Sequence, residues 1–188
     1  MSENQELRLA LPASSEALKD LKAGMRILIS GTIYTARDAA HMRLIETIRS
    51  GGVLPMSLEN QGIYYVGPTP AKEGRPIGSC GPTTSLRMDP MTVALLERGL
   101  KVMIGKGERT QVVIDAMKAH GAVYLAATGG AGALLASRVK EKTLVAYEEL
   151  GAEAIFRLVV EDFPVVVVID TEGNSAYEIE REKYRSKK

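Results

Sequence analysis

The sequence predicts an α/β domain. Apolar, β-rich runs recur at 26–34, 101–104 and 122–128, and a glycine- or threonine-bearing junction and a helical stretch follow each. A fourth run, 163–170, is the strongest strand signal in the chain, and 188 residues suit one domain. Hydrophobic residues make up 45 % and charged residues 25 %, enough for an ordinary core. With no Trp and two Phe, that core must come from Val, Ile, Leu, Ala and Met. A net charge of +1 gives no sign of a nucleic-acid or acidic-membrane partner. The apolar run Pro164 to Asp170 is far too short to span a membrane. The polar, acidic stretch Met1 to Glu6 does not read as a signal peptide. One cysteine excludes an internal disulfide framework and any cluster held by several cysteines of this chain, and it points to a reducing, cytoplasmic compartment.

Taken in order, 7–11 alternates and predicts a short strand. Ser14 or Ser15 can cap a helical patch over 16–22, which Gly24 stops. The run 26–34 predicts a strand, and Gly31 within it predicts a bulge or a close backbone approach. Thr35 is the expected N-cap of a helix to about Ser50, with Asp38 in a capping-box position and Leu44, Ile45 and Ile48 among its apolar residues. Residues 53–77 are loop-rich around a strand at 62–67, whose tyrosines read as packing residues. Asp89 and Pro90 read as the N-cap and first residue of a helix to about Arg98. A strand at 101–104, a glycine loop at 105–110 and a helix at 111–120 follow. Another strand, 122–128, leads into Gly129-Gly130-Ala131-Gly132 and a small-residue helix to about Val139. A short strand or turn is expected at 144–147 and an apolar stretch at 154–160. The strand 163–170 reads as buried on both faces, and 178–188 as a charged tail, frayed or helical and solvated.

Three junctions carry the polar chemistry. Arg37 sits in a first helical turn, where a cation opposes the helix dipole. It is either an exposed arginine paired with Asp38 or Glu46, or one aimed at an anion, and His41 lies one turn on. The loop from Gly78 to Asp89 brings Cys80, three consecutive hydroxyls at Thr83, Thr84 and Ser85, and Arg87. Lys106, between two glycines, can reach a bound anion or stand in solvent as a turn lysine. The spacing around Lys106 is not that of a nucleotide P-loop, and the glycines at 129–132 lack the dinucleotide fingerprint. Two arginines, a lysine and adjacent hydroxyls suit a substrate with two carboxylates. A hydroxyl among cations can have its pKa lowered enough to move a proton.

The stretches Gly31 to His41, Gly81 to Asp89 and Gly105 to Arg109, with Gly121 to Leu125 before Gly129, jointly resemble the iron–sulfur hydro-lyases. More narrowly, the chain from about Leu7 to Ala176 is similar to the β subunit, or C-terminal domain, of class I fumarate hydratase and L-tartrate dehydratase. The resemblance implies one swivelling β/β/α domain over 1–188. It also implies a separate α subunit that holds a [4Fe–4S] cluster, whose open iron serves as a Lewis acid toward the substrate hydroxyl and a carboxylate. Cys80 is then a packed loop residue. By motif position, Arg37, Arg87 and Lys106 match residues that hold substrate carboxylates. Thr83 matches the threonine that helps remove the C3 proton, Thr84 its hydrogen-bonding neighbour, and His41 falls in the first motif among the catalytic positions. Where the family often has asparagine in Lys-Gly-Asn-Arg, this chain has Glu108. The expectation is an αβ heteromer, with αβ units pairing, that hydrates fumarate to L-malate. L-Tartrate dehydration is the alternative, and a non-catalytic anion-binding or assembly domain is the rival from another class.

Overall fold

The computed structural model describes residues 7–128 and 130–185. The polar stretch 1–6, Gly129 of the glycine run and the last three tail residues lie outside that range. The strands are β1 (Leu7–Leu11), β2 (Arg26–Thr35), β3 (Gly62–Tyr64), β4 (Val102–Gly105), β5 (Val123–Ala127), β6 (Val139–Ala146) and β7 (Ile155–Ile169). The helices are α1 (Ser15–Leu18), α2 (Asp38–Arg49), α3 (Asp89–Leu96), α4 (Gln111–His120), α5 (Gly132–Ser137) and α6 (Ala176–Arg185), and 3-10 turns cover Ser85–Met88 and Glu148–Glu153.

Seven strands form one sheet in the order β1-β2-β3-β4-β5-β7-β6, with β2 also paired to β7. Strands β1 to β5 are mutually parallel, whereas β7 is antiparallel to β2, β5 and β6. The β2–β7 pairing closes β2, β3, β4, β5 and β7 into a ring. Two cores result because strand side chains alternate between faces. Ile27, Ile29, Tyr64, Ile104, Leu125 and Phe163 belong to the core inside the ring. Ile63, Tyr65, Met103 and Tyr124, the neighbours of those residues on β3 to β5, pack instead with Leu44 of α2, Leu95 of α3 and Met117 of α4. The α/β class is therefore present as one closed sheet with helices α2 to α4 packed against it.

Gly31 has both predicted features. The register of β2 against β7 shifts between Ile29 and Gly31. A Cβ at Gly31 would lie 2.1 Å from the Leu11 carbonyl oxygen, and its φ is +111°. Only glycine fits.

Several boundaries differ from the sequence expectation. α1 is a single turn capped by Ser14, whose hydroxyl accepts from Ala17 N–H at 3.4 Å. α2 starts at Asp38, and Thr35 is not its cap. The Thr35 hydroxyl instead donates to Ala154 O (3.2 Å) and accepts from Phe156 N–H (3.0 Å), which ties β2 to the start of β7. The expected helix to Val139 ends at Ser137, and 139–146 is an edge strand. The stretches 154–160 and 163–170 are one long strand that passes through the charged pair Glu161-Asp162. There Asp162 takes φ +50° and its N–H donates to Ser30 Oγ at 3.0 Å, replacing a ladder bond. From Phe163 to Val167 this strand alternates buried and half-buried residues; burial on both faces holds only from Val167 to Ile169. The tail forms α6 with no buried residue, a solvated helix. Among the described residues no helix is long and apolar enough to cross a membrane.

Candidate active site

The three polar junctions lie just beyond the C-terminal ends of the parallel strands β2, β3 and β4, where ligands of α/β sheets bind. The chain from β3 hands over to the 78–88 loop through Tyr65, whose carbonyl accepts from Thr83 N–H at 2.7 Å. Lys106 N–H donates to Thr83 O (3.3 Å), Ser85 N–H donates to Lys106 O (2.9 Å), and Thr84 is bridged to Lys106 in parallel. The hydroxyl segment thus extends the sheet beside the end of β4. This requires Gly105: a Cβ there would lie 2.0 Å from Ser85 Oγ and 2.9 Å from the Tyr65 ring.

Thr84 and Lys106 are exposed and Thr83 is half-buried. Among the described residues their hydroxyls and ammonium have no hydrogen-bond or ion-pair partner, so these groups remain open to a ligand.

Arg37 and Arg87 are not open in the same way. Arg87 grips Asp38 with two parallel bonds, Nε to Oδ1 at 2.8 Å and Nη2 to Oδ2. Arg37 is the N-cap residue of α2, and its side chain is 23 % exposed. It faces Glu153 at 3.3 Å and Asp38 at 3.7 Å, while its Nε is buried and unpartnered. Glu153 also accepts from Ala39 N–H at 3.1 Å, so one carboxylate serves the α2 N-terminus and Arg37 together. Partial burial pushes the Asp38 carboxyl up, but the Arg87 guanidinium, its own backbone N–H and Arg37 outweigh this and hold it below the usual carboxylate range. Of the acids expected beside Arg37, Asp38 is there; Glu153 takes the place of Glu46.

His41 is fully buried. Its Nδ1 lies 2.9 Å from Arg37 O, and its ring meets Tyr65 edge-on at 5.4 Å. A carbonyl only accepts, so Nδ1 carries the proton and Nε2 is a bare, unpartnered acceptor. Burial pulls its pKa down to about 4, and the nearby Arg109 adds to this. His41 is therefore neutral at pH 7 and fixes the backbone of Arg37.

Asp89 shows a role the sequence did not. It is the first residue of α3, not its cap, and its carboxylate crosses to the next loop. There it accepts from Arg109 Nε at 2.7 Å and from Thr110 N–H at 2.6 Å. The Arg109 side chain has no exposed surface. It also donates to Tyr65 Oη (3.3 Å) and Thr92 Oγ1 (2.8 Å). The one sequence signal was Arg109 as the last residue of the 105–109 motif. Asp38–Arg87 and Arg37–Glu153 join residues 49 and 116 positions apart, so no local spacing announces them. Glu108 pairs with Arg181 of α6 at the surface.

Cys80 is fully buried, its Sγ is 3.8 Å from Gly132 O, and burial pushes the thiol up to about 12. Among the described residues no group of three or more His, Cys, Asp or Glu stands together as metal ligands. A single buried, protonated thiol does not fit a [4Fe–4S] cluster, which takes several thiolates.

The profile of the fumarase C-terminus family matches residues 1–180. The chain is 42 % identical over 163 residues to the anaerobic class I fumarate hydratase of Escherichia coli, covering 86 % of this chain and 30 % of that protein. It is 38 % identical to fumarate hydratase 2 of Leishmania major over 174 residues, 92 % of this chain and 31 % of that protein. It is 40 % identical to a Methanocaldococcus jannaschii protein provisionally named L(+)-tartrate dehydratase subunit beta, over 86 % of both chains. The chain thus spans about a third of the length of the fumarate hydratases it matches and most of the length of the subunit.

Proposed function

The chain belongs to the fumarase C-terminus family, and from that premise we propose that it is the β-type half of an iron–sulfur hydro-lyase that reversibly hydrates fumarate to L-malate. The observation that carries the reading is one loop cluster holding two guanidiniums, an unpaired ammonium and two free hydroxyls at the ends of β2 to β4. In this proposal Arg37, Arg87 and Lys106 hold the two substrate carboxylates. A guanidinium has five N–H donors. Asp38 engages Nε and one Nη2 hydrogen of Arg87, which leaves the Nη edge for a ligand. The carboxylates of Asp38 and Glu153 thereby aim the arginines.

Thr83 carries the proton exchanged at C3, its hydroxyl made more acidic by the surrounding cations. Thr84 orients it, and His41 holds Arg37. The domain is of the swivelling β/β/α type, all of 1–188 acting as one unit and closing over a neighbour. The donor set of this chain does not suit the cluster, so the cluster belongs to an α subunit, with αβ units pairing.

A second reading, L-tartrate dehydratase, is favoured by the similarity over 86 % of both chains to a subunit-sized relative. An anaerobic assay separates the readings. This chain, a reconstituted cluster-bearing α subunit, and both together are offered fumarate and then L-tartrate. Turnover only in the mixture is expected, and the preferred acid names the enzyme. Full turnover by the α subunit without this chain would leave this chain a non-catalytic anion-binding or assembly domain. Within the mixture, Arg87→Ala should lower kcat/KM by about 100-fold or more, as loss of a charge-assisted bidentate contact requires. Unchanged activity would remove Arg87 from the site.

A further inference from the structure

Beneath the two substrate loops lies a closed run of hydrogen bonds among fully buried side chains. Lys106 N–H donates to Ser85 Oγ at 3.1 Å. Ser85 Oγ is 2.8 Å from Tyr124 Oη, and Tyr124 Oη donates to Gly107 O at 3.0 Å. Ser85 and Tyr124 are both 0 % exposed. The direction of every proton follows from the last acceptor. Gly107 O can only accept, so the Tyr124 hydroxyl hydrogen points at it. Tyr124 Oη must then accept from the Ser85 hydroxyl, which leaves the Ser85 oxygen to accept from Lys106 N–H. The run leaves the chain at Lys106 and returns one residue later, at Gly107. It encircles the peptide that carries the proposed carboxylate-binding ammonium.

The same clamp reaches the threonine loop. Ser85 follows Thr83 and Thr84 directly, and its own N–H is bonded to Lys106 O. The clamp is braced from below. The Arg109 guanidinium lies 5.1 Å from the Tyr124 ring centre and 5.4 Å from that of Tyr65, and Asp89 holds it in place. Tyr65 in turn supplies the carbonyl that receives Thr83 N–H. Hydrogen bonds in such a ring, centred on the buried Ser85–Tyr124 pair, reinforce one another and fix one geometry.

We propose that Tyr124, acting through Ser85, is a positioning residue for substrate binding at Lys106. The proposal rests on the carboxylate-binding role assigned to Lys106 above. Tyr124 comes from β5, within the 121–125 stretch in which the sequence points to no chemical role, and it touches no ligand; it sets the separation of the two loops proposed to do so.

The test is a double-mutant cycle in the complete hydratase, this chain with its cluster-bearing partner, assayed with fumarate. Tyr124→Phe keeps the ring and removes the hydroxyl. The expected result is a rise in KM of about five- to tenfold, as the hydroxyl's two hydrogen bonds, to Ser85 Oγ and Gly107 O, are lost together, with kcat within about twofold. In a Lys106→Ala background the same substitution should leave KM unchanged, because the group it positions is gone. An equal KM effect in both backgrounds would mean a merely structural role and would overturn the proposal. So would no effect in the native background.

If Lys106→Ala alone leaves KM unaltered, the carboxylate role of Lys106 fails and the proposal falls with it, an outcome distinct from the previous two. Amide hydrogen exchange at Lys106, whose N–H donates into the ring, gives a reading free of turnover. It should accelerate by about tenfold in Tyr124→Phe, and unchanged exchange would exclude the clamp. Should Tyr124→Phe not fold, Ser85→Ala breaks the same ring at its middle hydroxyl and carries the same cycle.

Discussion

At the scale of single residues, the arginines of this site are already answered by carboxylates within the chain, and Lys106 is left unpaired among the described residues. Asp89 and Arg109 form a buried ion pair, which is weak evidence for stability but costly to break from one side. Asp89→Asn should lower unfolding free energy by about 3–5 kcal/mol in urea titrations, because it leaves a buried guanidinium without its counter-charge. The double variant Asp89→Leu, Arg109→Met should recover much of that loss. His41 makes a second prediction. Its folded pKa, about 4, lies below the ordinary value of 6.5, so the unfolded chain binds the extra proton between those values. Stability is then full above pH 6.5 and falls as pH drops toward about 4, with a slope of about 1.4 kcal/mol per pH unit. Thermal melts from pH 7 to 5 should show the loss, and His41→Asn, which keeps a donor near Arg37 O, should flatten it. Gly105→Ala should destabilise by about 1–3 kcal/mol, since the new methyl meets Ser85 Oγ at 2.0 Å.

At the scale of elements, strands β2 to β5 were legible as apolar, β-rich runs, and so was the bulge at Gly31. The starts of α2 and α3 were not. In each case a good capping residue spends its side chain elsewhere: Thr35 on the first peptide groups of β7, Asp89 on Arg109 and Thr110. Capping propensity is a local rule, and a buried donor or acceptor on another element outranks it because it has no water to fall back on. Thr35→Val therefore tests the element contact more than a helix cap. It should cost about 2 kcal/mol in equilibrium unfolding. It should also speed amide exchange at Phe156 while leaving the first turn of α2 protected. Strand β7 was seen as two pieces because Glu161-Asp162 looks like an interruption, yet a hydroxyl on β2 carries the strand through it.

At the scale of the whole molecule, ring closure by β2 and β7 brings Glu153 to Arg37 and the α2 N-terminus. Three cations (Arg37, Arg87 and Lys106) face two carboxylates (Asp38 and Glu153) in the proposed site, which leaves one surplus positive charge that would attract the proposed dianionic substrate. Attraction of that kind is screened by salt. In the reconstituted enzyme, KM for fumarate should rise about two- to fivefold between low salt and about 0.3 M, with kcat nearly constant. A salt-independent KM would show that the surplus charge plays no part in capture.

The residues proposed to touch a dicarboxylate lie in three short motifs of the sequence, because recognition of an anion calls for particular side chains on glycine-permitted turns and these leave a local signature. The α/β class followed from the succession of apolar, β-rich runs, glycine-bearing junctions and helical stretches, since strands and helices each carry a local composition and pattern. The pairing of Asp38 with Arg87, Glu153 with Arg37 and Asp89 with Arg109, and the hydroxyl ring through Tyr124, were decided by tertiary structure. Those partners come from different elements. What unites them is that desolvated polar groups must find one another in the closed fold, a requirement on space that no sequence spacing records.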